Sequence, residues 1–430
     1  MKRLIKYLAC LLAIVVLVAT VFIIFKLNKK FPDEIVYDEY MQAFSDNGIY
    51  FIKNSRLCFL DNATGQSVIV CNRANCEHND ESCNAYIPGM AADMLVYDGY
   101  IYMAFFESEI FISEDGEITN ESKVTLTRLD MDGSHRKDIY TADSGAVLSM
   151  MAIGDTIYFT EYTQHGEDEV NVYNNDNALY AYNIRWDKLK CIKKYPYTEE
   201  KHYESVEIIG NCDDNTLYIL HQYRLGGTGV FTYLEGEGPS IEDMKADGTN
   251  ISIIEKVNKK TGSTSEIQTF EDTYLKFFVD KDKRYIQISD YYSETDILTL
   301  WECDDHFAET KELFTAEDAR VDWLGEYMYV IASDYLKALY DCEEDRWYIA
   351  KTSFTQEGTY IPDTKKVDRD KNIIYIDATD YTGYKAGDLL PGDISNYAVR
   401  EWSVFLEENY IPYEDLTEEQ RKSLTWIDIK

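Results

Sequence analysis

A short sequence formula recurs along most of this chain, and it constrains the fold more than any other feature. Each copy has a turn residue, an aliphatic residue, a tyrosine and another apolar residue, as in residues 47–51 (NGIYF). Successive tyrosines of the formula lie 44 to 67 residues apart, at Tyr50, Tyr102, Tyr158, Tyr218, Tyr285, Tyr329 and Tyr375. A period of about 40–50 residues with strand character is typical of β-propeller blades, and loop insertions explain the longer intervals.

A second pair of strand patterns follows the formula in most copies. Residues 56–60 are mostly apolar, residues 61–65 (DNATG) form a turn that contains glycine, and residues 66–70 return to a strand pattern. Each repeat thus supplies about four strands, which is the content of one blade. We predict an all-β propeller at residues 45–376 with six four-stranded blades, or seven if another blade begins at Tyr375. Blades must stack in this way because a single sheet cannot cover both of its faces.

Tyrosine is unusually abundant, with 36 residues in a chain of 430. Its ring offers a large apolar area and its hydroxyl group bonds readily to water. We therefore expect the tyrosines at strand ends, near the two rims of the ring.

The charge of the chain excludes one class of partner. Lys and Arg number 42 against 78 Asp and Glu, which gives a formal net charge of −36. Proteins that bind nucleic acid neutralise phosphates with clustered Lys and Arg, so we predict no nucleic-acid partner. The acidic surface favours cationic or metal-bridged partners instead.

The N-terminal segment predicts a membrane anchor. Residues 7–25 form an uncharged run of 19 residues between two lysine-bearing flanks. A helix of this length measures about 28 Å, close to the thickness of the hydrocarbon core. We predict an uncleaved signal anchor at residues 7–25, after a cytoplasmic tail at residues 1–6 and before a juxtamembrane linker at residues 26–44. A cleaved signal peptide is the alternative. The main domain would then lie outside the cell membrane.

The C-terminal segment departs from the strand pattern. Residues 394–408 have apolar residues at helical spacing, and residues 417–420 (TEEQ) form a capping-box sequence that starts a helix. We predict an α-containing extension at residues 377–430 that lies on the ring as a small helical cap. An interaction helix for a partner is the alternative.

One short loop, residues 71–83, concentrates metal-ligand residue types. Cys71, Cys76, His78 and Cys83 lie in the pattern C-x4-C-x-H-x4-C. Three thiolates and one imidazole are a complete tetrahedral donor set for structural zinc. The spacing matches no common zinc-finger pattern, and cysteines outside the membrane often form disulfides. A zinc site, a disulfide with one leftover thiol, and a reactive thiol all remain open at this point.

The first repeat also carries a resemblance. Residues 45–90, with the end of the Cys/His loop at residues 83–86 (CNAY), resemble the first blade of uncharacterised membrane-anchored propeller-like surface proteins of low-GC Gram-positive bacteria. The turn at residues 129–134 (LDMDGS) resembles repeats of TolB-like propeller domains. The resemblance implies a bacterial surface protein, and it implies no reaction.

Catalytic motifs are absent from the sequence. The six histidines are dispersed, and neither a G-x-S-x-G elbow nor an H-E-x-x-H helix occurs. We assign no catalytic residue and predict a non-enzymatic binding or scaffold module for a cell-envelope component or protein partner. The alternative is a propeller hydrolase or lyase that acts on polysaccharide or peptide with acids and tyrosines in its channel. An apolar or loop-plugged channel favours the binding module, whereas two or more acids with His or Arg in one pocket at the channel mouth favour the enzyme.

Overall fold

Antiparallel strands form most of the chain beyond residue 35. The computed structural model describes residues 2–32, 35–37, 39–78, 81–88, 90–112, 118–143, 145–164, 175–226, 248–280, 283–290, 297–333, 336–354, 361, 364–377 and 397–430.

Helix α1 (Lys2–Asn28) precedes the strands. Across the residues that the structure describes, no helix has the length and apolar character needed to cross a membrane.

Seven groups of antiparallel strands follow one another as blades, and blades 1 and 2 are joined into one nine-stranded sheet. Blade 1 comprises β3 (Gln42–Ser45), β4 (Gly48–Lys53), β5 (Arg56–Asp61) and β6 (Ser67–Ile69), and blade 2 comprises β7 (Met90–Tyr97), β8 (Tyr100–Ile112), β9 (Ile118–Asp130) and β10 (Lys137–Asp143). Blade 3 comprises β11 (Ala146–Ile153), β12 (Thr156–Gln164), β13 (Asn175–Asn183) and β14 (Lys188–Tyr195). Blade 4 comprises β15 (Lys201–Asn211), β16 (Thr216–Leu225), β17 (Thr249–Asn258) and β18 (Thr264–Glu271).

Blades 5 to 7 complete the ring. Blade 5 comprises β19 (Thr273–Asp280), β20 (Lys283–Asp290), β21 (Ile297–Cys303) and β22 (Glu309–Glu317). Blade 6 comprises β23 (Arg320–Trp323), β24 (Tyr327–Ile331), β25 (Lys337–Asp341) and β26 (Arg346–Ala350). Blade 7 comprises β27 (Thr364–Asp368), β28 (Ile373–Asp377) and β29 (Tyr397–Glu401). The all-β propeller prediction is confirmed with seven blades rather than six. The seventh begins at Thr364, before Tyr375, because the formula tyrosine lies on the second strand of each blade.

The C-terminal segment adds strands and helices to this ring. After β29 come α2 (Trp402–Asn409), β30 (Tyr410–Pro412), α3 (Glu418–Ser423) and β31 (Ile427–Ile429). Strand β30 pairs with β26 of blade 6, and β31 pairs with β22 of blade 5. The predicted capping box is present, since the side chain of Thr417 accepts from the backbone N–H of Gln420. The helical spacing at residues 394–408 was misleading in part, because residues 397–401 pair with β28 as a strand of blade 7.

Each junction between neighbouring blades has its own apolar core. Blades 7 and 1 meet through Tyr375 on one side and Ile49, Phe51, Cys58 and Leu60 on the other. The seven formula tyrosines are all at most 8% exposed, so the expectation that they lie at solvent-facing strand ends was wrong. They fill the junctions between blades, where their large rings stabilise the stacking.

Several of these tyrosines also bond to the next blade. The hydroxyl of Tyr50 in blade 1 donates to Met131 O in blade 2 at 3.1 Å, and that of Tyr218 in blade 4 donates to Asp305 O in blade 5 at 3.1 Å. The hydroxyl of Tyr375 in blade 7 donates to Asn62 Oδ1 of blade 1 at 2.8 Å. Each acceptor lies in the turn between the third and fourth strands of its blade, so the same contact also closes the ring.

Candidate metal centre and the two rims

The connection from blade 1 to blade 2, residues 70–89, is held along the edge of blade 1. The backbone N–H of Leu57 donates to Ala85 O at 2.8 Å, and that of Ile87 donates to Ser55 O at 3.0 Å. Arg56 Nε donates to the carbonyl of His78 at 2.7 Å. The Cys/His loop is therefore positioned by contacts with Ser55 in the turn between β4 and β5 and with Arg56 and Leu57 at the start of β5.

The four residues singled out from the sequence converge in this loop. One potential ligand atom from each of Cys71, Cys76, His78 and Cys83 lies within 4.8 Å of all the others. His78 Nδ1 is 3.3 Å from Cys83 Sγ. The three cysteines are free thiols in the structure, Cys83 buried and the other two half-buried.

The thiols of this loop differ in acidity. The pKa of Cys83 is raised to about 11, mainly by burial, and hydrogen bonds with Cys76 and Cys71 act in the same direction while the backbone N–H of Ala85 opposes them. Burial also disfavours the thiolate of Cys71, but hydrogen bonds from the backbone N–H groups of Arg73 and Asn84 outweigh it and lower its pKa. The arrangement favours a thiolate at Cys71 with neighbouring thiols as donors.

Two opposite rims frame the propeller. Successive antiparallel strands reverse direction, so turns between strands 1 and 2 and between strands 3 and 4 share one side, which we call the turn rim. It includes residues 46–47, 98–99, 154–155, 184–187, 342–345 and 369–372. We call the opposite side, with the blade-to-blade connections 196–200 and 318–319, the loop rim.

The linker after α1 is docked on the turn rim. The hydroxyl of Tyr97 donates to Pro32 O at 2.8 Å and to Gly154 O at 2.9 Å. Lys29 Nζ lies 2.5 Å from Asp98 Oδ2, and Arg185 Nη1 donates to Leu27 O at 3.0 Å. The end of α1 thus enters the propeller at blades 2 and 3.

The chain then covers the inner edges of three blades. The first strands of neighbouring blades contact one another around the axis. Strand β1 (Val36–Tyr37) pairs with β11, and β2 (Glu39–Tyr40) pairs with both β7 and β3. These two short strands therefore occupy the otherwise open edges of blades 1, 2 and 3 in the channel.

Two acids of the inner strands interact electrostatically. Asp93 on β7 lies opposite Tyr40 of β2 in the ladder. Burial, and secondarily the charge of Glu207 on β15, raise the pKa of Asp93 to about 7. Burial also raises the pKa of Glu207.

A buried polar network lies between blades 3 and 4. His221 Nε2 is 2.6 Å from Glu204 Oε1, and the hydroxyl of Tyr195 donates to Glu255 Oε1 at 2.5 Å. The rings of Tyr195 and His221 meet edge to face at 5.0 Å. All four side chains are buried, and Glu204 Oε2 has no hydrogen-bond partner among the described residues.

Acidic side chains differ between the rims. On the turn rim, acids pair with cations of neighbouring blades, as in Lys137–Asp187, Lys311–Asp345, Arg369–Asp341 and Lys371–Asp46. On the loop rim, Glu199, Glu200, Glu317 and Asp318 are exposed, and their side chains have no hydrogen-bond or ion-pair partner in the described part of the chain.

The sequence did not single out the channel acids or the network around Glu204. Asp93 and Glu207 lie on strands of different blades, and 78 acids give no reason to select these two. The one sequence signal for these acids is the alternation of side chains between the two faces of each inner strand. This alternation identifies which face a residue lies on, and it does not identify a pair of residues across the channel.

Comparisons with known proteins identify no family for this chain. No family model matches this chain, and no curated protein matches it. An oligogalacturonate lyase from Vibrio parahaemolyticus is 12% identical, with 90% of this chain and 93% of that chain covered and a TM-score of 0.43. The tricorn protease is 10% identical over 75% of this chain and 34% of that chain, with a TM-score of 0.30. The N-terminal domain of Nup159 is 8% identical over 70% of this chain and 94% of that chain, with a TM-score of 0.25. Similarities at these identities and TM-scores carry no inference for this chain.

Proposed function

We propose that this protein is a non-enzymatic binding module of the cell surface that holds a positively charged cell-envelope component or protein partner on its loop rim. The observation that carries the proposal is the contrast between the rims. Several acids of the turn rim, such as Asp345 and Asp46, pair with cations of adjacent blades, whereas Glu199, Glu200, Glu317 and Asp318 are exposed and have no side-chain partner among the described residues. Exposed carboxylates attract and orient a cationic partner, and no internal ion pair has to be broken before the partner binds.

The covered channel also supports a binding role over catalysis. β1 and β2 pair with the inner strands of blades 1 to 3, and Tyr40 lies opposite Asp93. A substrate that approaches from the side of β1 and β2 would have to displace these two strands to reach Asp93 and Glu207. The loop rim, by contrast, is accessible at the connections that carry the exposed acids.

The location and orientation are part of the proposal and rest on the uncharged run at residues 7–25. Because the linker after α1 is docked on the turn rim, an N-terminal anchor would turn the loop rim away from the membrane. Tags at the two ends test this topology through protease access to intact cells. We expect cleavage of the C-terminal tag alone, and protection of that tag contradicts the proposed location.

Binding is tested with a fluorescent peptide of alternating lysine and glycine and the purified full-length chain. We expect salt-sensitive binding that the double variant Glu199→Gln/Glu317→Gln weakens about threefold or more, because two rim charges are lost. The matched control is Asp214→Asn/Asp370→Asn, which removes two exposed charges from the turn rim. Equal weakening by both variants would mean that net charge alone attracts the peptide, and this overturns the assignment to the loop rim. Absence of binding overturns it as well.

The second candidate function is hydrolysis or lysis of a polysaccharide, and Asp93 favours it. A carboxyl group with a pKa of about 7 beside a second carboxyl group is the arrangement in which one acts as acid and the other as base. Incubation with polygalacturonate and with peptidoglycan glycan strands, followed by measurement of new reducing ends and of unsaturated products, tests it. Turnover that Asp93→Asn and Glu207→Gln both abolish would replace the binding proposal. Product formation that neither variant changes would point to a contaminating enzyme.

A further inference from the structure

We propose that Cys71, Cys76, His78 and Cys83 bind one Zn²⁺ ion and that this ion fastens blade 1 to blade 2. The inference is independent of the ligand that the loop rim binds. It selects one of the three interpretations that the sequence left open.

The donor geometry is close to that of a tetrahedral zinc site. With Zn–S bonds of about 2.3 Å and a Zn–N bond of about 2.0 Å, tetrahedral donors lie roughly 3.5–3.8 Å apart. The four donor atoms already lie within 4.8 Å of one another, and the Nδ1–Sγ distance of His78 and Cys83 is 3.3 Å. Side-chain rotations are sufficient to reach bonding distance.

The donor types select the metal. Three thiolates and an imidazole are soft or borderline ligands, which suit zinc and disfavour magnesium and calcium. Four protein donors leave no open position, so the site has the composition of a structural rather than a catalytic zinc centre.

A disulfide accounts for less of this arrangement. It would join two of the three sulfur atoms and leave the third thiol and the imidazole without a role. His78 has a φ of 56° and Asn75 has a φ of 59°, both in the left-handed region that costs energy for residues other than glycine. At His78 this backbone conformation accompanies the approach of Nδ1 to Cys83, while Arg56 holds its carbonyl. A bond from His78 to the metal accounts for that approach.

The same loop contacts blade 2 on its other side. Asn72 Nδ2 donates to Asp132 Oδ2 at 2.8 Å, and Arg136 Nη2 donates to Tyr86 O at 2.6 Å. Gly133 has a φ of 80°, and a Cβ atom there would lie 2.5 Å from Val70 O. The metal would therefore fix a loop that is packed tightly against the neighbouring blade.

Metal content and thermal unfolding test the proposal on the purified full-length chain. We expect about one zinc per chain by mass spectrometry, and less than about 0.2 in Cys76→Ser, because structural sites need all four ligands. We also expect a strong chelator to lower the melting temperature by about 5 °C or more, because the metal binds only the folded loop. The matched control is Cys191→Ser, which makes the same change at a half-buried thiol outside the loop and should retain the zinc.

The proposal also stays testable if Cys76→Ser fails to fold. Zinc K-edge absorption of the unaltered protein should then show three sulfur neighbours and one nitrogen neighbour. No zinc after growth in zinc-supplemented medium overturns the proposal, whether Cys71, Cys76 and Cys83 are found oxidised or as free thiols. Full zinc content in Cys76→Ser, or a shell of oxygen neighbours, places the metal elsewhere and overturns it too.

Discussion

The two rims of this propeller differ in how several of their acidic residues are paired. On the turn rim, pairs such as Lys311–Asp345 and Lys371–Asp46 join one blade to the next. On the loop rim, acids such as Glu199 and Glu317 are exposed and have no side-chain partner in the described ranges. These ion pairs of the turn rim hold neighbouring blades together, so the paired side chains are constrained by their partners. Glu199 and Glu317 are not constrained by such pairs.

The largest expected effect comes from Tyr375, which links the turn rim of blade 1 to blade 7. Tyr375→Ala removes a buried ring, and we expect the free energy of unfolding to fall by about 3–5 kcal/mol. Tyr375→Phe removes only the hydroxyl bond to Asn62, and we expect a fall of about 1 kcal/mol. Urea unfolding followed by tyrosine and tryptophan fluorescence measures both.

Tyr274, which is 52% exposed, provides the control for Tyr375. We expect Tyr274→Phe to change stability by less than about 0.5 kcal/mol. If Tyr375→Ala were as mild as Tyr274→Phe, the contact between the last and first blades would not stabilise the ring.

The second effect concerns the channel between the rims. The folded pKa of Asp93, about 7, lies above that of an aspartate in an unfolded chain, about 3.9. The folded state therefore binds more protons than the unfolded state between these values, so this contribution to stability is present at low pH and is lost as pH rises to about 7. We expect the chain to lose about 2–3 kcal/mol between pH 5 and pH 8 that Asp93→Asn does not lose.

Urea titrations at both pH values, with Asp214→Asn as the control for removal of an exposed acid, measure this difference. Parallel pH dependence in the unaltered chain and in Asp93→Asn would show that Asp93 ionises normally. The support for the polysaccharide-cleaving alternative would then disappear.

The smallest effect concerns the linker docked on the turn rim. Tyr97→Phe removes the donor to Pro32 O and Gly154 O, and we expect a loss of about 1 kcal/mol. Limited proteolysis should cut the linker at residues 29–37 several times faster in this variant, because release of the linker precedes cleavage. Unchanged cleavage would mean that the contacts of Lys29 and Arg185 hold the linker without Tyr97.

The sequence predicted the repeat architecture because each blade is built from local contacts. The formula and the turn after it recur within one sheet, so their period reveals a blade without knowledge of its neighbours. The number of blades was less accessible, because β29 follows β28 only after residues 378–396, which lie outside the described residues. The helical spacing near Tyr397 also competed with the strand pattern of the seventh blade, and pairing with β28 decided the outcome.

The candidate sites also differ in how far the sequence alone predicts them. Cys71, Cys76, His78 and Cys83 lie within one loop, so their proximity was predictable from spacing alone. Asp93 and Glu207 meet through the stacking of blades, and Glu204 meets His221 through the pairing of β15 with β16. The tyrosines were assigned to the wrong environment for a related reason. A tyrosine side chain is stable both at a rim and at a junction between blades, and only the stacking of the blades shows which of the two positions it occupies.

The contact between Tyr375 and Asn62 has a consequence for synthesis of the protein. One face of blade 1, with Ile49, Phe51 and Leu60, is covered by a blade that emerges from the ribosome more than 300 residues later. Until then a growing chain carries an uncovered apolar sheet face, which is prone to aggregation. A chain truncated before residue 364 would therefore keep this face of its first blade permanently exposed.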